Sequence, residues 1–148
     1  MTIREIRPEE TSKLLPCIVA LAEYHNRIST NFKGQYPRKP GEAVLESFEK
    51  DLKDGVSHIA VLEDNGVIVG FCKIDIVQNS GKLDYLIVLP EYRGSGCGAG
   101  LMDWAMAAFH ANGIRHIEVK VVDGNDAIRF YEKYGFKINA HLLWYAGD

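Results

Sequence analysis

Alternating glycines, Gly94, Gly96, Gly98 and Gly100, are the residues of this sequence whose spacing most directly suggests chemistry. They follow Arg93 and lead into an apolar pattern with helical spacing. Glycine lets backbone N–H groups turn toward one point and lets a ligand approach without a Cβ in the way. A helix N-terminus adds unpaired donors and a partial positive charge, and arginine is a fixed cation suited to phosphate. The segment therefore predicts a cradle for a phosphate or pyrophosphate group.

The neighbouring residues place this cradle between a strand and a helix. The apolar run Leu83 to Leu89 is typical of a buried strand, and Pro90 ends it because proline has no N–H for a neighbouring strand. Apolar residues then recur at helical spacing as far as Asn112-Gly113, a typical helix end. A plain glycine-rich loop is the alternative, but glycines are costly in conformational entropy and would then have no explanation.

A dinucleotide fingerprint is a competing interpretation of the same glycines. The run from Gly94 to Ala99 satisfies G-x-G-x-x-G/A, and Asp123 lies where a ribose-binding acid would be sought. This interpretation makes the protein a nicotinamide-dependent oxidoreductase. Only 48 residues follow Gly100, too few for the rest of a doubly wound domain. The segments before the glycines also predict an antiparallel meander, which disfavours the dinucleotide interpretation.

Two motifs resemble those of the GNAT superfamily, the acyl-CoA-dependent N-acetyltransferases. Residues 93–98 read Arg-Gly-Ser-Gly-Cys-Gly and match the pyrophosphate motif Arg/Gln-x-x-Gly-x-Gly/Ala, after a strand that ends in Val88, Pro90 and Tyr92 as in the family. Residues 125–136 look like the family's Asn-x-x-Ala-x-x-Phe-Tyr-x-x-x-Gly-Phe segment. The resemblance covers roughly residues 57–145, whereas the N-terminal third matches only in the order of its elements.

This resemblance implies acetyl-CoA as cosubstrate, with no metal. In the family the pantetheine arm adds to the sheet like a short strand, bonded to backbone near Val88, and the amide of Asn125 is a further partner for it. Asn125 also lies where a helix N-cap belongs, and the two roles are compatible. The residues assigned to the cofactor are Leu86, Ile87, Val88, Arg93, Gly94, Ser95, Gly96, Cys97, Gly98, Ala99, Asn125 and Tyr131.

The catalytic residues implied by the resemblance are Tyr131 and Asp84. The family places the tyrosine near the thioester sulfur, where a phenol can donate a proton to the departing thiolate. Several members place an acid or a histidine four positions before the valine of Val-x-Pro, which is Asp84 here. Strand alternation puts Asp84, Leu86 and Val88 on one face, so the carboxylate can face the pocket as a base or as the anchor of a water relay. Binding of the substrate ammonium, or a solvated strand end, stays open for Asp84, and Glu118 is a second candidate base.

The acceptor pocket is predicted from weaker signals. His25 ends the first helix beside Glu23 and Tyr24, in a position that can face the acceptor. Phe32 and Tyr36 lie in an aperiodic stretch and either line the pocket or pin that loop to the core. Substrate specificity is therefore expected in the first helix, the loop over residues 29–41 and the last strand.

The elements that position these residues predict a mixed α/β fold in one domain, residues 1–148. The order is β-α-α-β-β-β-α-β-α-β, and the resemblance implies a mostly antiparallel central sheet with flanking helices and one parallel, splaying strand pair. Asn65-Gly66 is the strongest hairpin signal, and Pro16 is the expected start of the first continuous helix. The predicted bounds outside the central helix are strands Thr2–Ile6, Ser57–Glu63, Val67–Val77, Lys82–Leu89, Ile114–Val122 and Phe136–Tyr145, and helices ending at about Arg27 and spanning Glu42–Asp54 and Asn125–Tyr134.

Composition limits the partners. The chain has 148 residues with a net charge of −3 and no polybasic block, so neither nucleic acid nor an anionic membrane surface is an expected partner. No signal-peptide core or long apolar run is visible, so a cytoplasmic protein is expected. Three scattered cysteines predict neither a disulfide framework nor zinc. The apolar residues Leu142 to Tyr145 either complete the core or pair across a homodimer.

Together these features predict an enzyme that moves an acetyl group from acetyl-CoA to a primary amine, with a small molecule as acceptor. Direct attack in a ternary complex is favoured over a covalent intermediate because Cys97 belongs to the cofactor loop. Acetylation of a protein N-terminus or lysine is the alternative within the same chemistry. A non-catalytic acyl-CoA sensor is the alternative from another class.

Overall fold

The computed structural model describes residues 1–146, which form one five-stranded sheet with helices on both faces. A 3-10 helix covers Pro8–Leu14 and a short 3-10 turn covers Pro90–Tyr92. No described helix has the length and apolar character needed to cross a bilayer. The remaining elements are β1 (Thr2–Glu5), α1 (Leu15–Ile28), α2 (Gly41–Lys53), β2 (Ser57–Asp64), β3 (Val67–Val77), β4 (Ser80–Val88), α3 (Cys97–Ala111), β5 (His116–Val119) and α4 (Ile128–Glu132).

The strand order is β1-β2-β3-β4-β5, with antiparallel pairing up to β4 and a parallel β4–β5 pair. This confirms the mixed α/β class and the mostly antiparallel sheet. The β2–β3 turn has Asn65 at φ 52° and Gly66 at φ 79°, the left-handed pair that such a hairpin requires. Pro16 occupies the first turn of α1, where its missing N–H costs nothing, so the expected helix start is also confirmed.

Each face of the sheet has its own apolar core. On one face α3 buries Leu101, Met102 and Phe109 against the sheet, in a cluster that also contains Leu83 and Val88. On the other face the cluster combines α1 and α2 with β2, β3 and β4, and its members include Leu14, Cys17, Phe48, Phe71 and Ile87. The helices therefore fix the sheet from both sides, while its last two strands diverge at one end.

This divergence begins where the parallel pairing ends. The β4–β5 ladder pairs Ser80 with His116 and stops at Leu83 opposite Val119. Strand β4 continues to Val88, whereas β5 is shorter than the predicted Ile114–Val122 and the chain leaves the ladder after Val119. The predicted splay between these two strands is confirmed.

A β-bulge in β4 corrects the predicted orientation of Asp84. Lys73 pairs with Tyr85 and Ile74 pairs with Leu83, so Asp84 has no partner on β3. The extra residue turns Asp84 onto the α2 side, where it contacts Lys73, beside Tyr85 in the same core as Phe48. Leu86 and Val88 pack against the α3-side core instead. The alternation that put Asp84, Leu86 and Val88 on one face is therefore wrong.

The predicted last strand, Phe136–Tyr145, is also wrong. Residues 136–146 have no regular secondary structure. Trp144 instead packs edge-on against Phe32, with ring centroids 5.4 Å apart, and the guanidinium of Arg38 lies 3.5 Å from the Trp144 ring centroid. These contacts direct the segment onto the loop before α2 rather than along β5. Leu143 and Tyr145 are left 84% and 96% exposed.

Candidate functional site

A cavity of about 970 Å³ opens where β4 and β5 diverge. Its walls come from α1, the loop before α2, α2 itself, strands β3 and β4, the start of α3, and the segment from Val119 to Tyr131. Most of the predicted site residues meet here. The cavity wall includes Leu86, Ile87, Val88, Arg93, Gly98, Asn125, Tyr131, Asp84, His25 and Tyr36.

The remaining predicted cofactor residues, Gly94 to Cys97 and Ala99, form the loop and the first turn of α3 beside Gly98. Gly94 and Gly96 have φ of 84° and 82°, a left-handed conformation that favours glycine, and a Cβ at either would point into open space. Gly96 is the N-cap of α3 and no side chain caps the helix, so the first N–H groups of α3 have no partner within it. This uncapped turn, with glycine at its two left-handed positions, fits a pyrophosphate group.

Arg93 does not extend into this turn. Its Nε donates to the carbonyl oxygen of Val88 at 2.9 Å, and its guanidinium lies 4.7 Å from the ring centroid of Tyr24. Arg93 therefore links the end of β4 to α1 along the cavity wall. The role of Arg93 as a fixed cation at the mouth of the cradle stays a prediction, and the structure adds a contact that sequence could not show.

The Tyr131 hydroxyl faces the cavity. The side chain is 9% exposed and its ring packs against Phe130 and Phe136, at centroid distances of 5.4 Å and 5.9 Å. The hydroxyl makes no hydrogen bond to a described residue. Every polar side-chain atom of residues 1–146 that is sealed from solvent has a hydrogen-bond partner, so this hydroxyl is not sealed. It therefore opens onto the cavity that Tyr131 lines. Burial, with a smaller contribution from the nearby Cys72 thiol, raises the pKa of Tyr131 to about 12. The phenol is therefore protonated at neutral pH and can donate.

Asn125 precedes α4 rather than capping it. Helix α4 begins at Ile128 with Ala127 as its N-cap, so the predicted helix start at Asn125 is wrong. The Oδ1 of Asn125 accepts a hydrogen bond of 2.9 Å from the N–H of Ala127, which closes a turn before the helix. Its Nδ2 makes no hydrogen bond to a described residue and is available on the cavity wall.

Asp84 belongs to a charged cluster around Lys73, a residue that the sequence analysis missed. Lys73 is 1% exposed, and its Nζ lies 2.7 Å from both Asp75 Oδ1 and Asp84 Oδ2 and 3.8 Å from Asp51 Oδ2. Burial acts to lower the pKa of Lys73, but hydrogen bonds to Asp75 and Asp84 outweigh it, so the pKa is raised. A single lysine in the apolar run from Val67 to Ile74 was the available signal.

The cavity wall contains two of the three aromatic residues that were predicted for the acceptor pocket. His25 and Tyr36 line the cavity with ring centroids 5.3 Å apart, and burial lowers the pKa of His25, so its ring is neutral at pH 7. The amide of Asn26 bonds both the N–H and the carbonyl of Tyr36, at 2.8 Å and 2.7 Å. Phe32 is not part of the wall but packs on Trp144, so it makes a contact of the loop, and its role in substrate binding stays a prediction. Glu118 is exposed on β5 and also lies outside the wall.

Asp123 holds the loop before α2 instead of a ribose. Its carboxylate accepts hydrogen bonds of 2.8 Å from the Ser29 hydroxyl and from the N–H groups of Thr30 and Asn31. The bonds from Asn31 and Ser29 are the main causes that lower the pKa of Asp123. Within residues 1–146, no three His, Cys, Asp or Glu side chains are grouped closely enough to hold a metal ion. Asp123 is therefore a structural acid that joins two walls of the cavity.

These features describe a mixed α/β fold in which an uncapped glycine turn lies beside a cavity, and comparison with known proteins gives the family. Residues 55–138, more than half of the chain, match the family model of the acetyltransferase (GNAT) domain. The chain belongs to the GNAT family of acetyltransferases. The resemblance noted from the two sequence motifs is confirmed.

Known relatives extend this comparison. A Bacillus subtilis protein provisionally named ribosomal protein bS18-alanine N-acetyltransferase is 29% identical over 87 residues, which is 58% of each chain. Aminoalkylphosphonate N-acetyltransferase of Salmonella typhimurium is 28% identical over 103 residues, or 65% of this chain and 67% of that protein. The chain therefore spans 58% and 67% of these curated relatives.

A solved structure shows the same fold over nearly the whole chain. The PaiA N-acetyltransferase of Thermoplasma acidophilum, in complex with coenzyme A, superposes with a TM-score of 0.75 at 21% identity. The match covers 93% of this chain and 90% of that one. At this level of identity the likeness concerns the fold.

Proposed function

We propose that this protein transfers the acetyl group of acetyl-CoA to the primary amine of a small molecule, by direct attack in a ternary complex. The observation that supports this best is a single cavity that brings together Gly98 of the glycine turn, the free hydroxyl of Tyr131 and the carboxylate of Asp84. Membership of the GNAT family and the coenzyme A complex of a protein with the same fold support the choice of cosubstrate. Acetyl-CoA, when bound, supplies an acyl group activated as a thioester.

The holding groups are mainly backbone. The N–H groups of residues 94–99 bind the pyrophosphate, because the turn and the helix N-terminus direct unpaired donors outward. Nδ2 of Asn125 and the backbone at the end of β4 bind the pantetheine arm. Arg93 fixes that end of β4 through the Val88 carbonyl. The divergence of β4 and β5 supplies the space between the strands.

Tyr131 supplies the proton to the leaving group. Its O–H bond breaks and an S–H bond forms on the departing sulfur, which leaves as the thiol. Burial keeps the phenol protonated until the sulfur needs the proton. A covalent cysteine intermediate is disfavoured because Cys97 Sγ lies 3.2 Å from Ser95 Oγ and 3.7 Å from Met1 Sδ, and Cys97 is not part of the cavity wall.

Asp84 binds the acceptor amine. Its Oδ2 is paired with Lys73, and accepting a proton would weaken that ion pair, so the carboxylate serves better as a counter-ion than as a base. The amine enters as an ammonium ion, its N–H bond breaks, and the proton leaves to solvent in the open cavity. The nitrogen then keeps the electron pair that forms the C–N bond, and the C–S bond breaks as the thiol leaves. The second proton that the acylated nitrogen loses restores the O–H bond of Tyr131 through the solvent of the cavity.

A protein N-terminus is the second candidate acceptor. The relative from Bacillus subtilis, named for the alanine of a ribosomal protein, favours it. The Salmonella typhimurium relative, named for an aminoalkylphosphonate, favours a small molecule. The chemistry at Asp84 and Tyr131 is the same in both cases.

The experiment is a thermal-shift titration with acetyl-CoA, CoA and NAD, combined with a free-thiol assay. The amine panel contains aminoalkylphosphonates, an aminoglycoside, n-butylamine and an alanyl peptide. A ligand that binds only the folded state raises its apparent stability, so we expect a shift with CoA and acetyl-CoA but none with NAD. Thiol release with a small amine supports the proposal, and release with the peptide alone supports the second candidate. A CoA shift without release from any amine would leave only a sensor, and a shift with NAD alone would refute the proposal.

A further inference from the structure

Lys73 is the charged side chain of the cavity wall that is buried most deeply. It is 1% exposed, lies 5.0 Å from the ring centroid of Phe48, and contacts two carboxylates at 2.7 Å. A buried ion pair contributes little net stability compared with apolar residues of similar volume. The charge of Lys73 therefore suggests a task at the cavity rather than in the core.

The bulge in β4 defines that task. Asp84 has no partner on β3, so the regular ladder does not fix the direction of its side chain. Lys73 fixes it instead, because its ammonium donates to Oδ2 of Asp84. Oδ1 of Asp84 makes no hydrogen bond to a described residue, and the nearest cation is Lys82 at 3.4 Å. Oδ2 is thus held by a buried hydrogen bond, whereas Oδ1 has only the ion pair with the partly exposed Lys82, which a ligand can replace.

Lys73 is itself held from the opposite side. Its ammonium donates to Asp75 Oδ1, which also accepts a hydrogen bond of 2.6 Å from the Ser57 hydroxyl. The chain of contacts runs from Ser57 on β2 through β3 to Asp84 on β4, across three adjacent strands. A fixed geometry at Asp84 follows, since every link is anchored in the sheet.

The charges of the cluster indicate what it binds. Three carboxylates, of Asp51, Asp75 and Asp84, surround two ammonium groups, of Lys73 and Lys82. One further positive charge would balance the cluster, and a primary amine at neutral pH carries one. The available Oδ1 of Asp84 is where that charge can be placed.

We propose that Lys73 is the positioning residue of the acceptor site, which fixes Oδ2 of Asp84 so that Oδ1 binds the ammonium form of the acceptor. This inference rests on the proposed function. It assigns to Lys73 no contact with the substrate and no proton transfer. The consequence is selective: loss of Lys73 weakens binding of the amine and leaves binding of acetyl-CoA unchanged.

The experiment compares Lys73→Met with Lys50→Met, a control that removes an ammonium paired with Asp54 on the exposed side of α2, outside the cavity wall. The probe is n-butylamine at neutral pH. Two values are measured for it, its Kd for the CoA-loaded protein and its KM in the thiol assay. We expect K73M to raise both values for the amine about tenfold or more, as for loss of a charge-assisted hydrogen bond. The KM of acetyl-CoA stays within about twofold, and K50M changes the amine values less than about threefold because exposed ion pairs are weak.

Two further variants separate positioning from folding. Lys73→Arg keeps a buried cation and is expected to recover part of the amine affinity. In an Asp84→Asn background, K73M is expected to add little, because the residue that it positions is already lost. Should K73M fail to fold, Lys73→Gln, which retains hydrogen-bond donors without charge, replaces it in the same comparison.

Several results would overturn the inference. One is an equal loss of affinity for the amine and for acetyl-CoA in K73M, and another is an unchanged amine KM in K73M. The others are full additivity of K73M with D84N and no binding of n-butylamine to the wild-type protein. Failure of the proposed function is a different result, namely absence of thiol release from every amine of the panel. In that case binding of n-butylamine to the CoA-loaded variants still tests the role of Lys73.

Discussion

The substitution Tyr131→Phe removes one hydroxyl and nothing else from the cavity wall. That hydroxyl makes no hydrogen bond to a described residue, while the ring keeps its contacts with Phe130 and Phe136. The free energy of unfolding at pH 7 is therefore expected to change by less than about 1 kcal/mol. Binding of acetyl-CoA is also expected to persist, because the pyrophosphate turn is untouched.

The rate of acetyl transfer responds differently. A positioned general acid typically contributes about 10²-fold to 10⁴-fold, so we expect kcat to fall at least about 10²-fold in Y131F. The loss arises because the thiolate must leave without a proton donor. The KM of the amine is expected to stay close to that of the wild type, since Tyr131 does not bind the ammonium.

The same variant also changes how the stability of the protein responds to high pH. Burial raises the pKa of Tyr131 from 10 to about 12, so the folded state holds this proton more tightly than the unfolded state. The resulting stability is fully present below pH 10 and is lost as pH rises from 10 to 12. Two pKa units correspond to about 3 kcal/mol. Y131F lacks this contribution and is expected to lose less stability than the wild type over that range.

The assay is thiol release at pH 7, combined with urea unfolding at pH 9 and pH 11.5. Tyr134→Phe is the matched control, because Tyr134 lies three residues further along the chain and is not part of the cavity wall. A Y131F enzyme with kcat within about threefold of the wild type and intact acetyl-CoA binding would refute the role of Tyr131 as acid. If Y131F and the wild type lose equal stability between pH 9 and pH 11.5, the buried phenol is not the cause of the alkaline loss.

Two further substitutions test the glycine turn at the start of α3 and the loop before α2. Gly96→Ala places a Cβ at φ 82° in the turn, so we expect a stability loss of about 1–2 kcal/mol from backbone strain and about tenfold weaker acetyl-CoA binding, measured by calorimetry. Asp123→Asn removes the ionised acceptor of three hydrogen bonds to residues 29–31, so we expect faster amide exchange there and a higher amine KM with unchanged acetyl-CoA KM. The lowered pKa of Asp123 also predicts that the wild-type loop stays ordered as pH falls to 3.8 and is released only below it.

Each of these variants has a control in the same chain. Gly113→Ala imposes similar strain at φ 69° just after α3, outside the turn, and should destabilise without weakening acetyl-CoA binding. Asp126→Asn removes a neighbouring charge that makes none of the bonds of Asp123, and should leave the loop unchanged. Loss of acetyl-CoA affinity in G113A, or equal loop exchange in D123N and D126N, would contradict these assignments.

Features that depend on a few adjacent residues were predictable from sequence. Asn65-Gly66 forms its hairpin because both residues tolerate positive φ. The glycine turn forms because its conformation is open mainly to glycine and lies between a proline-terminated strand and an amphipathic helix. The parallel, splaying pair was predicted by resemblance, and the family assignment followed from two motifs that local chemistry makes specific.

The bulge at Asp84 was not predictable, because it arises from the register between β3 and β4 and not from the residues of β4 alone. Alternation counted back from Val88 therefore put the carboxylate on the wrong face. The position of Lys73 beneath Phe48, between Asp75 and Asp84, depends on two strands and a helix that are separate in sequence. Lys73 was visible as a lone cation in an apolar run, but its partners were not.

The C-terminal segment shows the same division. Its alternating aromatic and branched residues favour a strand, and the sequence offered no competing signal. Contacts of Trp144 with Phe32 and Arg38 instead direct it to the loop before α2, because side chains from two distant segments meet there. By itself the sequence determined the fold class and the glycine turn and singled out Tyr131 as a candidate, since their signals are local. Only the tertiary structure decided which face Asp84 occupies, what holds it and which aromatic residues line the cavity, since these depend on strand register and on contacts between distant residues.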